Sequence, residues 1–422
     1  MMAFVLGSPI LRNLTKLSSQ TCVVCIKESC TIRTYCPFTG FKPFSTSTPE
    51  QDIDMSPKEG KMCAWQIHSY GGVEELQLSC SVRQPVLSKP DDVLVNVAAS
   101  SVNPIDTAMM NGYGSTFLNK LRQAVSCNPD ESSIEFPLTL GRDFSGHVVA
   151  VGHNVKNLCP GDEVWGVIHP ANQGCHAQQV VTSQSNIRSK PKSLSMEEAA
   201  SIMYAAVTAW SALRITGDLF VAGARGKRIL VLGAAGGVGS VAVQMAKAWG
   251  AEVVGTCRTD AVPLVESLGA HSVIDYALPD MIDRLRTQGQ FDIVLDAAGL
   301  GADAGQYAAC LKEWSNAKYI TLRSPLLKNF DEHGLLLGAL KSAADLVQPN
   351  ITSGALSRGS SLRWGFFVPC DAALDEIQLL VEAGKIVPCI QKVYPFKNLP
   401  QAYQHVLGGH LRGKVVVSVK EK

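Results

Sequence analysis

Apolar and polar positions divide the chain into stretches of different period. From about residue 62 to 185 the apolar residues come in short β-branched runs bounded by turns. "DDVLVNVAAS", "SGHVVAVG" and "CPGDEVWGV" are examples, the last led in by a Pro-Gly-Asp turn. These runs predict a β-rich domain with few long helices, and the polar run 117–135 predicts a surface insertion. From about 196 the period lengthens. "SMEEAASIMYAAVTAWSAL" predicts a helix with Ser195 as cap and Glu197 and Glu198 in its first turn. Five short strands then alternate with helical segments: "RILVLG", "AEVVGTC", "HSVIDY", "FDIVLDAAG" and "AKYITLR". Such alternation predicts a parallel, doubly wound sheet, with "RWGFF" as its last strand near 363–367. The pattern fails over 325–360, which predicts a loop-rich crossover near the site. Within it, "GLLLGALKSAADLV" at 334–347 scans as an amphipathic helix. The tail, "LDEIQLLVEAGKI", "VYPFKNLPQAYQHV" and "GKVVVSV", predicts helix, loop, helix and a final strand returning to the first domain.

The fold class is therefore α/β, a β-rich domain plus a doubly wound parallel-sheet domain. The expected boundaries are a leader at 1–45, a first domain part at 60–195, a nucleotide domain at 196–367 and the return to the first domain at 368–422. The leader expectation comes from Arg12, Lys16, Lys27, Arg33 and Lys42 set against the single acid Glu28, in a Ser/Thr-rich stretch ending "FSTSTPE". That composition suits a mitochondrial transit peptide removed near 40–50, with a disordered tail as the alternative. Pro9, Arg12 and Asn13 interrupt the first apolar run too early for a secretory signal.

The rest of the composition excludes more than it selects. At 46% hydrophobic and 18% charged residues, the 422-residue chain has ample core for two domains. A net charge of +1 gives no reason to expect nucleic acid as a partner. No apolar run reaches the length of a membrane span. Of thirteen cysteines, nine lie beyond the leader without close pairs or zinc-type spacing, so free thiols are expected in a reducing matrix.

"RILVLGAAGGVGSVAVQMAKAWG" carries the strongest chemical signal. A buried strand meets Gly233, Gly236, Gly237 and Gly239, and a helix follows. Glycines there let the backbone approach a pyrophosphate, and the helix start offers unpaired amides and a partial positive charge. The next strand ends "GTCR". An NAD site usually carries an acid at that tip to bond the ribose 2′-hydroxyl. Arg258 stands there instead, and its guanidinium suits a 2′-phosphate, so NADPH is the expected cofactor. Asp260 nearby counts against this choice.

Dehydrogenases with this domain order often use zinc, which needs converging Cys, His and acidic ligands. The loop "LGRDFSGHVVAVG" offers Arg142 and Asp143 where such enzymes carry a His-Glu pair, and His147 lies in a strand run. No metal is expected, and the acceptor should be one that takes hydride readily, such as a quinone or an enone.

Several runs together resemble the zinc-free medium-chain dehydrogenase/reductase family of the quinone oxidoreductase type. They are "ASSVNPIDTAMMNGYG", "FPLTLGRDFSGHV", "PGDEVWG", "TAWSAL", "VLGAAGGVGSVAVQMAKAWGA", "LGAHSVIDY" and "GKVVVSV", spanning most of 62–419. "RWGFF", "LVEAGKI" and "GGHLRGK" are similar to its mitochondrial, reticulon-associated branch. The resemblance implies a GroES-like domain built from both ends of the chain, with a Rossmann domain inserted and the cofactor between them. It implies Ala235, Gly237 and Val238 at the pyrophosphate, Arg258 and Tyr276 at the adenosine phosphate, and His410, Leu411 and Arg412 closing over the cofactor. Ala235 stands where relatives often have Ser, and Ala297 of "DAAG" where they often have Asn, so both offer backbone only.

On the same basis the nicotinamide should lie against the loop of Asn103 and Asp106, which could equally be turn caps. Tyr113 is the candidate proton donor, or alternatively a packed aromatic. The implied activity is NADPH-dependent reduction of a quinone, linked to ubiquinone biosynthesis. Reticulon and ubiquinone-biosynthesis proteins are the implied partners, and a homodimer the candidate assembly. An enoyl-thioester reductase of mitochondrial fatty-acid synthesis and a non-catalytic NADPH-binding regulator are the alternatives.

Overall fold

The computed structural model describes residues 57–126, 135–301 and 305–419, all within one compact unit. The leader expectation at 1–45 lies outside the described residues. A parallel six-stranded sheet forms the nucleotide half. Its strands are β9 (Arg228–Leu232), β10 (Glu252–Cys257), β11 (Ser272–Asp275), β12 (Ile293–Asp296), β13 (Lys318–Thr321) and β14 (Ser361–Trp364). They stand in the order β11-β10-β9-β12-β13-β14. All neighbours are parallel, and β9 and β12 are buried along nearly their whole length, as short aliphatic strands covered on both faces require. The chain order reverses between β9 and β12, which is where open α/β sheets bind ligands.

The other half has a seven-stranded sheet, mostly antiparallel. It contains β3 (Asp92–Val102), β5 (Asp143–Val151), β6 (Glu163–Val167), β7 (Gln179–Ser183) and β8 (Ile187–Ser189). The tail strands β15 (Ile390–Pro395) and β16 (Lys414–Ser418) enter the same sheet, where β16 pairs antiparallel with β3. A smaller sheet joins β1 (Lys61–Ile67), β2 (Gln77–Arg83) and β4 (Leu138–Thr139). The described residues thus have the expected α/β architecture of a β-rich half and a doubly wound half.

Four local expectations change. Ser195 does cap its helix, its Oγ accepting from the Glu198 amide at 3.2 Å, but that helix is split into Met196–Ala200 and Met203–Trp210 with a π-turn after it. Residues 117–126 are helical within Ser115–Ser126, and Phe117 packs on Phe330 with ring centroids 5.7 Å apart. The expected crossover loop is instead a helical segment, Leu326–Thr352, broken only at Gly334, where φ is 72°. Asn329 ties its two pieces together through Ser342 at 3.0 Å and Asp345 at 2.9 Å. Gly334 and Pro349 interrupt the helical period, which hides it in the sequence. Finally, the expectation of free thiols fails at Cys63 and Cys80, which are disulfide-bonded across the β1–β2 ladder. Antiparallel pairing brings together two cysteines 17 residues apart that no sequence spacing marks.

Candidate active site

The glycine turn follows β9 directly. Gly233 has φ of 76°, which favours glycine, and a Cβ there would meet Ala298 at 3.1 Å. A Cβ on Gly239 would lie 2.1 Å from the Gly233 carbonyl oxygen, so this glycine allows the helix to leave the strand so sharply. The helix Gly237–Ala248 then begins with Gly236 as its N-cap and no side chain capping it. A Cβ on Gly236 would meet nothing nearer than the Gly233 carbonyl at 3.4 Å. The first-turn amides therefore face an open approach that an anion can fill. Val238 lies half-buried in this first turn, and Ala235 is buried just before it. Ala297 donates its amide to the Leu232 carbonyl at 3.0 Å, so it braces the strand end with backbone alone.

The tail reaches this turn. Gly413 donates its amide to the Ala235 carbonyl at 2.8 Å, which places His410, Leu411 and Arg412 beside the glycines. His410 has φ of 51° in an exposed turn, and Leu411 packs inward on the first domain's core. Arg412 reaches across to the end of β10. Its guanidinium grips Asp260 in two bonds of 2.8 and 2.9 Å and a third of 3.2 Å. That pairing holds the Asp260 carboxyl below its ordinary range, with Arg258 adding to the effect. The acid that counted against a phosphorylated cofactor is thus neutralised from the tail. Arg258 is exposed at the tip of β10, and Tyr276, 40% exposed, donates its amide to the Cys257 carbonyl next to it.

The other wall is a buried polar network. Asn103 and Asp106 are 3% and 0% exposed, so neither side chain lines an open wall. Asp106 accepts the Asn103 amide at 2.8 Å and the Gly141 amide at 3.0 Å. It thereby shapes the "SVNPID" loop as a cap. Burial raises its pKa, and Arg142, 3.7 Å away, opposes that rise. Asn103 donates to Asp143 at 3.0 Å and accepts from the Lys414 ammonium, which also lies 3.5 Å from Asp143. Ser101 donates to the same carboxylate. Burial raises the Asp143 pKa, and Lys414 is the largest opposing influence.

Lys414 was not anticipated, although it opens the apolar run "GKVVVSV" after a glycine. Its stem lies against Gly237, where a Cβ would approach Lys414 Cδ to 2.9 Å. One buried cation therefore touches both the glycine turn and the Asn103 loop. Tyr113 donates its hydroxyl to the Ser324 carbonyl at 3.1 Å, across the two halves, and burial then Asp331 raise its pKa.

The two aspartates at this wall already have cations. Asp143 is engaged by Ser101, Asn103 and Lys414, Arg142 lies beside Asp106, and His176 bonds the Ser101 carbonyl at 3.3 Å and Tyr403 at 3.1 Å. Among the described residues no three His, Cys, Asp or Glu side chains converge as metal ligands. A divalent cation would be repelled by two buried cationic side chains, so these residues do not fit zinc. A separate cavity of about 470 Å³, lined in part by Met62, Val82, Phe136 and Gln173, includes none of the residues above.

Residues 89–216 match the alcohol dehydrogenase GroES-like domain, and residues 268–417 match a zinc-binding dehydrogenase domain. The NAD(P)H oxidoreductase RTN4IP1, mitochondrial, of Danio rerio is 43% identical over 361 residues, covering 85% of this chain and 92% of that protein. The chain belongs to the medium-chain dehydrogenase/reductase family. Reticulon-4-interacting protein 1, mitochondrial, of Caenorhabditis elegans is 36% identical over 364 residues, 86% of this chain and 96% of that protein. The solved quinone oxidoreductase of Coxiella burnetii superposes with a TM-score of 0.67 at 27% identity, covering 85% of this chain and all of that one. The chain is a mitochondrial oxidoreductase that uses a nicotinamide cofactor, in line with both the sequence expectation and these relatives.

Proposed function

We propose that the protein uses NADPH to reduce a quinone, in the mitochondrial matrix. The uncapped helix start behind Gly236 is the observation that carries the cofactor, because no side chain caps its first-turn amides and a Cβ on Gly236 would meet nothing nearer than 3.4 Å. Gly233, Ala235, Gly236, Gly237, Val238 and Gly239 would hold that pyrophosphate. Arg258 and Tyr276 would flank the adenosine phosphate, and His410, Leu411 and Arg412 would close over the cofactor. When bound, the nicotinamide supplies a hydride.

The chain's own residues then do the positioning. Lys414 and Asp143 fix Asn103, and Asp106 shapes the loop that carries it, so Asn103 and Asp106 act as positioning residues. Tyr113 spans the two halves and holds a hydroxyl proton at Oη near the acceptor side. Reduction of a quinone needs placement more than acid catalysis, since its oxygen can be protonated by water. The relatives' names support a nicotinamide oxidoreductase, and a quinone oxidoreductase among the structural neighbours supports the acceptor. A link to ubiquinone biosynthesis, reticulon as a partner and the transit peptide at 1–45 belong to the same proposal.

The test is NADPH oxidation by the purified protein with a panel of quinones, with trans-2-enoyl thioesters and NADH as controls. Turnover of quinones with NADPH above NADH is expected. Turnover of enoyl thioesters alone would overturn the acceptor.

A further inference from the structure

The separate cavity lies on the face of the small β2-β1-β4 sheet that turns away from the core of the β-rich half. Side chains alternate between the two faces of a strand. On β1, Cys63, Trp65 and Ile67 enter that core, so Met62, Ala64 and Gln66 turn to the other face. Leu138 and Leu140 enter it too, so Thr139 between them turns away. The cavity of about 470 Å³ opens over this second face, where Met62, Val82, Phe136 and Val181 give it an apolar middle.

Its two ends are polar in different ways. At one end Gln66 and Thr139 line the cavity although they are only 9% and 4% exposed. They are partners in the β1–β4 register. Among the described residues neither the Gln66 amide nor the Thr139 hydroxyl has a hydrogen-bond partner. Buried polar groups are rarely left so, and both of these border space that a ligand can fill. At the other end stands Arg83, the only charged residue of the lining. Its partner in the β1–β2 register is another cation, Lys61. Among the described residues neither is in an ion pair. Like charges set opposite each other in a ladder repel, so an anion at this end relieves the pair. Lys61 and Gln66 are five residues apart on β1, about 17 Å at the rise of an extended strand. A molecule that engages both ends is therefore elongated.

We propose that this cavity is a second ligand site, and that it takes an elongated carboxylic acid with a hydroxyl or keto group at its far end. The carboxylate meets Arg83, the apolar chain lies over Met62, Val82 and Val181, and the far oxygen bonds the Gln66 amide and the Thr139 hydroxyl.

Calorimetric titration of the full chain with 10-hydroxydecanoate, decanoate and 1,10-decanediol tests this. The hydroxy acid should bind one-to-one and do so equally under saturating NADPH, because no lining residue belongs to the glycine turn. Decanoate, which lacks the far hydroxyl, should bind about fivefold more weakly, and the diol, which lacks the charge, about tenfold more weakly. Arg83→Met should weaken both acids about tenfold and leave the diol within about twofold. Gln66→Leu and Thr139→Val, made separately and checked by melting midpoint, should each narrow the preference for the hydroxy acid and leave decanoate within about twofold. If one of the two fails to fold, the other decides. The proposal is overturned by no uptake of any of the three probes, or by uptake that saturating NADPH abolishes. It is equally overturned by affinities that Arg83→Met leaves unchanged, or by a wild type that binds the hydroxy acid no better than decanoate.

Discussion

Replacing Lys414 with methionine isolates the buried cation that joins the two walls of the cleft. Methionine keeps the length of the stem and so keeps its contact on Gly237. It removes the ammonium from Asn103 and from Asp143, both at most 3% exposed. Removing one partner of a buried ion pair costs about 3–5 kcal/mol, because the other charge stays desolvated. At about 2 cal/mol/K of unfolding entropy per residue over roughly 350 folded residues, that corresponds to a midpoint fall of about 4–7 °C. The loss depends on pH in a fixed direction. Burial already raises the Asp143 pKa, and losing Lys414 raises it further. The folded variant then holds a proton that the unfolded chain has released, so its stability falls as pH rises between the two pKa values. Thermal melts at pH 5 and pH 8 should show the larger deficit at pH 8. Adding Asp143→Asn should recover at least half of it. A deficit below 1 °C at pH 8, or one equal at both pH values and not rescued, would refute the ion-pair account.

Arg258→Ala should raise the KM for NADPH by about 10- to 100-fold, the cost of a charge-assisted bond, and leave the KM for NADH within about twofold. Equal effects on both coenzymes would remove Arg258 from the phosphate. Tyr113→Phe should lower turnover less than about tenfold and stability by about 1 kcal/mol through the lost bond to Ser324. Complete loss of turnover in a folded variant would assign Tyr113 a strict acid role. Burial pulls the His176 pKa down to about 3, whereas an unfolded imidazole titrates near 6.5. The stability it contributes is whole above pH 6.5 and is lost as pH falls towards 3, by up to about 1.4 kcal/mol per pH unit. Urea titrations across pH 4–7 should therefore slope less steeply in His176→Gln, and an unchanged slope would contradict a neutral buried imidazole.

What the sequence revealed follows from how local each signal is. The glycine turn, the Ser195 cap and the strand–helix alternation each lie within one short stretch, so period and residue type were enough. The pairs that complete the site do not. Lys414 meets Asn103 across 311 residues, and Arg412 meets Asp260 across 152. No spacing announces either, and Lys414 looks like an ordinary strand start. Asn103 and Asp106 were recognisable as special polar residues in an apolar loop. That they are buried depends on strand β3 pairing with β5 and β16, which only the fold supplies.

Gly236 offers the most direct test of the cofactor site. Its backbone, at φ −75° and ψ 174°, suits any residue, and a Cβ there meets little of the chain. Gly236→Val should therefore fold normally yet obstruct the pyrophosphate. Calorimetric titration with NADPH should show micromolar binding by the wild type and binding at least tenfold weaker by the variant, at the same melting midpoint. No uptake by the wild type, or equal uptake by both proteins, would contradict the account.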